Sequence, residues 1–164
     1  MQPAVSLASV AEFALPVILT ALAFGALVRR LHRARLVRGI TGSRGLTVIE
    51  NMTWVDFELV VGEAFRRQGY DVHGRKPGGS DGIAFELRRG SELFLVECKH
   101  WRSSAVVSAA IVREFYAVLA RRGAAGGFLI TSGRFSDDAL AYAQDSHLEL
   151  IDGNALVQLL AAAS

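Results

Sequence analysis

Residues 83–99 read IAFELRRGSELFLVECK, and no other stretch of the chain constrains the fold as much. Two runs rich in Ile, Phe, Leu and Val flank the turn-forming pair Gly90-Ser91. That pattern predicts a β-hairpin. The second run ends in Glu97-Cys98-Lys99-His100. Side chains alternate across a strand, so Glu97 and Lys99 share a face while Cys98 points away.

The segments on either side supply the layers that cover a hairpin. Trp54, Phe57, Val60, Val61, Ala64 and Phe65 recur at three- and four-residue spacing, which predicts a helix. Thr53 is its N-cap, Asp56 sits favourably in the first turn, and Gly69 stops it. YDV begins a strand, and HGRKPGGSDG is a loop with four glycines and a proline. After the hairpin, residues 106–121 have helical period and AAGGFLITS is a buried strand. SDDALAYAQDS is a helix capped by Ser136, LELI a short strand, Asp152-Gly153 a turn, and NALVQLLAAA a closing helix. Helix, three strands, helix, strand, helix, strand, helix is the order of a mixed α/β sheet with helices on its faces.

The front of the chain is different. Hydrophobic residues make up 51% of the 164, and the mean hydropathy is +0.30. The excess is concentrated in residues 4–28, AVSLASVAEFALPVILTALAFGALV, whose one charge is Glu12. About 20 apolar residues cross a bilayer, so this run predicts one N-terminal transmembrane helix. Arg29, Arg30, Arg33, Arg35 and Arg38 follow it and place its C-terminal end in the cytoplasm. A cleaved signal peptide would carry its positive charge before the apolar run, where this sequence has only the amino terminus. The predicted organisation is therefore an anchor with a basic flank over 1–38, a linker over 39–52 (GITGSRGLTVIENM) and a folded domain over 53–164. It implies a single-pass protein of the cell (inner) membrane with the domain in the cytoplasm. The net charge is +2. Its cationic excess follows the anchor, which suits a topology signal and lipid headgroups. Cys98 is the one cysteine, so no intramolecular disulfide and no cysteine zinc cluster form, as suits a reducing compartment.

A carboxylate and an ammonium sharing the end of a buried strand are costly in the core and useful at an open sheet edge. The carboxylate suits Mg²⁺, a hard ion that wants oxygen ligands. The ammonium can activate an attacking water and steady charge on a phosphate. With a second acid, this is the kit for metal-assisted phosphodiester hydrolysis. By itself Glu-x-Lys is also a common surface ion pair; the Gly-rich acidic loop before the hairpin gives it context.

WVDFELVVGEAFRRQGYDV, GGSDGIAFELRRGSELFLVECKHW, GAAGGFLITSGRFSDDALAYA and LELIDGNAL, in this order over residues 53–160, resemble the catalytic domain of Mrr-type restriction endonucleases. These belong to the PD-(D/E)xK nuclease superfamily. The resemblance implies a restriction-endonuclease-like mixed sheet flanked by helices. It also implies Mg²⁺-dependent cleavage of double-stranded DNA, with Mn²⁺ as an alternative ion, and often a preference for modified foreign DNA. Such enzymes often act as homodimers. Carried over by position, Glu97 matches the acid of the second hairpin strand, where many relatives have Gln, and Lys99 matches the catalytic lysine. Glu58 matches a frequent acidic helix position that faces the metal, its other reading being a solvated helix residue. Gly78, Gly79 and Gly82 match the loop entering the site. Thr131 and Ser132 end the next strand, where they cap it or touch a phosphate. Trp101 suits packing, and His100 carries no assignment.

One departure matters. The family runs Asp-Gly-Gly-x-Asp here, and its second Asp commonly supplies the other metal ligand. This chain has Asp81-Gly82-Ile83-Ala84, and counting back from Lys99 puts Ala84 at that position. Asp81 drawn inward from the loop, or Glu86 reaching from the same strand face as Ala84, are the two replacements. The sequence thus expects Asp81 and Glu97 to hold the metal, Lys99 to activate water and Glu58 to support. Its rival is a nuclease fold that binds DNA or a protein partner at the membrane without cutting.

Overall fold

The computed structural model describes residues 18–28, 31, 35, 37, 40, 45–74, 82–100, 105–144 and 146–162. Residues 1–35 and 36–164 form two separate compact units.

In the first unit, residues 18–28 form a helical run, α1. Ile18, Leu19, Leu22, Phe24 and Leu27 are each more than half exposed, so this run buries no apolar face within its own unit. At 1.5 Å per residue it rises about 16 Å, against the roughly 30 Å of a bilayer core. Among the described residues no helix is long and apolar enough to cross a membrane. That corrects the expectation of a full span as far as it concerns described residues; the rest of the expected anchor, 4–17, lies outside them.

The second unit is built on a five-stranded mixed sheet. Helix α2 (Gly45–Glu50) and helix α3 (Trp54–Arg67) precede β1 (Asp71–Gly74), β2 (Ile83–Arg89) and β3 (Glu92–Lys99). A short β4 (Val106–Val107), α4 (Ala109–Arg122), β5 (Gly126–Thr131), a short β6 (Arg134–Phe135), α5 (Asp137–Gln144), β7 (Leu148–Ile151) and α6 (Gly153–Ala162) follow. The sheet order is β1-β2-β3-β5-β7. β1, β2 and β3 are antiparallel neighbours, and β5 and β7 run parallel to β3. The hairpin turns at Gly90, whose φ of 63° is a left-handed conformation that glycine adopts without strain.

Strand alternation sends two sets of side chains to two separate cores. Phe85, Leu87, Val96, Cys98, Phe128 and Ile130 meet Phe57, Val61 and Phe65 of α3 and Leu156 and Leu160 of α6. Ile83, Leu95, Leu129 and Leu148 meet Val112, Phe115 and Leu119 of α4 and Ala139 of α5 on the other face. The sheet is therefore covered on both sides, as its near-continuous apolar strands require. Thr53 caps α3 by accepting from Asp56 N at 3.1 Å, and Ser136 caps α5 by accepting from Ala139 N at 3.2 Å, both as the sequence predicts.

Two local expectations change. The segment expected to be a linker holds α2, because Ile40 and Ile49 are fully buried in the core under α6. Apolar residues too few to show a period still fold when a neighbouring helix offers them a groove. The helix expected from residue 106 starts at Ala109 instead, since Val106 and Val107 pair with Arg134 and Phe135 in a two-stranded parallel ribbon.

Candidate active site

The site forms where β3 and β5 end together. Glu97 pairs with Ile83 on one side and Leu129 on the other, and Lys99 pairs with Thr131. Alternation puts both charged side chains on the face of Leu95. Lys99 Nζ lies 2.6 Å from Glu97 Oε1. Glu97 is 7% exposed, whereas the Lys99 side chain is 29% exposed. The carboxylate sits inside and the ammonium bridges it to solvent. A buried carboxylate is tolerable only with such a charge-assisted partner.

Gly82 completes the wall. Its φ is +75°, and a Cβ placed on it would stand 3.5 Å from Glu97 Oε1 and 3.8 Å from Oε2. A side chain here would be strained in backbone and would stand in van der Waals contact with the carboxylate. The backbone of Lys99 is held from β5. Thr131 Oγ1 donates to Lys99 O at 2.9 Å and accepts from Gly133 N at 3.0 Å, and Ser132 N donates to Lys99 O at 3.3 Å. These bonds give Thr131 and Ser132 a capping role at the strand end.

His100, which the sequence left unassigned, turns to the opposite face. Its ring stacks on Phe57 of α3 at 4.7 Å between centroids and 17° between planes. Its Nε2 lies 2.7 Å from Met52 O. A carbonyl only accepts, so Nε2 carries the proton. Glu58 is half-buried on α3, one residue from Phe57. The structure thus brings Glu97, Lys99 and Gly82 together, and sets Glu58 at the same end of the sheet on the helix that covers the other face. Asp81, Gly78, Gly79 and Trp101 lie outside the described residues.

The Ala84 question has a geometric answer the sequence could not give. A register shift between Ile83 and Phe85 breaks the alternation of β2. Ala84, 2% exposed, joins Phe85 and Leu87 in the core under α3. Glu86 lies on the other face, opposite Leu95, in an ion pair with Arg122 at the end of α4. Ala84 and Glu86 therefore do not share a face, which corrects the expectation that Glu86 reaches from Ala84's side. Among the described residues, no group of three or more His, Cys, Asp or Glu side chains is placed to hold a metal ion. Glu97 is an oxygen donor of the type a hard cation takes; Asp81, the other expected ligand, lies outside the described residues.

Residues 49–160 match the Mrr_cat family, described as restriction endonuclease. This chain belongs to that family. It is 32% identical over 125 residues to the type IV methyl-directed restriction enzyme EcoKMrr of Escherichia coli (strain K12), a match covering 69% of this chain and 40% of the relative. The chain thus spans less than half the length of that restriction enzyme. The solved structure of the DNA modification-dependent restriction endonuclease AspBHI superposes with a TM-score of 0.53 at 22% identity, covering 80% of this chain and 35% of that one. The crystal structure of AF1548, a protein of unknown function, superposes with a TM-score of 0.52 at 17% identity, covering 60% and 61%. The mixed sheet with flanking helices is the restriction-endonuclease-like fold.

Proposed function

We propose that this member of the restriction endonuclease family is a metal-dependent DNA endonuclease of restriction type, held at the cell membrane by its N-terminal segment. The observation that carries the nuclease reading is the Glu97–Lys99 pair, bonded at 2.6 Å at the end of a buried strand. Family membership supports double-stranded DNA as the substrate. Asp81 and Glu97 would hold the cation, Mg²⁺ or Mn²⁺, which supplies positive charge beside the scissile phosphate. Lys99, an ammonium paired with Glu97, would orient the attacking water and stabilise the negative charge that develops on the phosphate. Glu58 supports the cation side, and Gly82 lets the phosphate backbone approach.

The tether reading rests on the exposed apolar side chains of residues 18–28 and the arginines after them. It puts the nuclease domain in the cytoplasm as a single-pass protein, and a homodimer would let two sites cut two strands. Membrane flotation of the full chain tests it, and recovery in the soluble fraction argues against it.

A second reading has an observation of its own. Ala84 is buried in the core and Glu86 is engaged by Arg122, so the described residues lack the usual second acid. The domain would then bind DNA or a protein partner without cutting. Plasmid cleavage by the full chain with Mg²⁺ or Mn²⁺, on modified and unmodified DNA, decides between them. Cleavage abolished in Lys99→Ala and Asp81→Ala supports the enzyme. Gel-shift binding without cleavage at any metal concentration supports the second reading.

A further inference from the structure

His100 follows Lys99 directly and reaches back to the loop before α3. Two contacts of different kinds hold it. The Nε2–H donates to Met52 O at 2.7 Å, across 48 residues of sequence, and the ring lies flat on Phe57 at 4.7 Å and 17°. Trp54 stands over the same ring at 6.5 Å and 43°. Nδ1 is buried with no hydrogen-bond partner among the described residues, so the ring serves through one donor and its flat faces. Both contacts sit on the loop and first turns of α3, which carry Glu58 one residue from Phe57. Among the described residues, β3 pairs with β5 as far as Lys99, opposite Thr131, and His100 is the next residue. Thr131 and Ser132 hold the Lys99 carbonyl from β5, and His100 adds a hold from the α3 side; a strand end tied on one side alone keeps more freedom than one tied on both.

We propose that His100 is a positioning residue: it clamps the end of β3 to the start of α3, fixing Lys99 against Glu97 and setting Glu58's helix turn relative to both. The mechanical part concerns Lys99 alone; its catalytic consequence rests on the nuclease reading.

The chain has two lysines, Lys76 and Lys99, so the clamp has a readout independent of cleavage. Acylation of the folded full chain by a small amine-reactive ester, followed by peptide mass spectrometry, gives the Lys99 rate with Lys76 as internal reference. His100→Phe keeps a ring for Phe57 and removes the donor to Met52. The expected result is a rise in the Lys99 to Lys76 rate ratio of about fivefold, the factor one net hydrogen bond is worth. His100→Gln, which retains an N–H donor of similar reach, restores the ratio to within about twofold of the wild type by the same measure. Single-turnover DNA cleavage falls with the same ranking while DNA affinity holds. An unchanged ratio in folded His100→Phe overturns the proposal. Should His100→Phe fold poorly, His100→Asn, too short to span to the carbonyl, replaces it with the same expected rise, and an unchanged ratio there also overturns the clamp. If the ratio rises in a chain whose wild type cuts no DNA, the nuclease reading fails and the clamp stands.

Discussion

Removing either member of the Glu97–Lys99 pair should destabilise the domain by unequal amounts, and the inequality follows from burial. Lys99→Met takes the ammonium from a carboxylate that is 7% exposed. Breaking a buried pair from one side costs about 3–5 kcal/mol; partial exposure of the lysine end, 29%, discounts this to about 2–4 kcal/mol. Glu97→Gln leaves an ammonium that can turn to water and an amide oxygen that still accepts from it, so its cost is about 1 kcal/mol. With a urea slope of about 2 kcal/mol per M, Lys99→Met lowers the unfolding midpoint by about 1–2 M and Glu97→Gln by about 0.5 M. Tryptophan fluorescence in a urea titration reads both, and an unchanged slope confirms that stability alone has moved. If Glu97→Gln costs as much as Lys99→Met, the buried carboxylate is not what the pair protects, and the reasoning fails. The double variant, Glu97→Gln with Lys99→Met, should cost less than the sum of the two, because with both changes no unpaired charge remains.

Three further outcomes follow from single contacts. Gly82→Ala forces a side chain into φ +75° against Glu97, costing about 1 kcal/mol or more, and cleavage should fall further than that stability loss explains in single-turnover assays. Gly127→Ala places a Cβ 2.8–2.9 Å from Leu119 and Phe115; overpacking should cost about 1–3 kcal/mol in urea unfolding without altering the site. Arg122→Ala and Glu86→Ala break a partly exposed pair, so each should cost no more than about 1 kcal/mol and leave plasmid cleavage intact, whereas a dead Glu86→Ala would return that residue to the site.

Much of the fold was legible because its signals are local. Thr53 and Ser136 announce their helices by cap chemistry, Gly90-Ser91 its turn, and the apolar runs their strands. Helix α2 was not legible, because Ile40 and Ile49 have meaning only under α6. Nor was the β4–β6 ribbon, whose two-residue strands need each other. In the site, Glu97 and Lys99 were read from period two. His100 left no sequence signal, since Met52 lies 48 residues away.

The sequence by itself determined which residues alternate, where helices start and stop, and that a carboxylate and an ammonium share a strand end. Those properties depend on neighbours within a few residues. Only the tertiary structure decided that Glu97 is buried while Lys99 reaches solvent, that Gly82 lies beside the carboxylate with a left-handed φ, and that a bulge turns Ala84 and Glu86 to opposite faces. A one-residue shift in pairing reverses every face assignment before it, and such a shift is fixed by strands and helices distant in the chain.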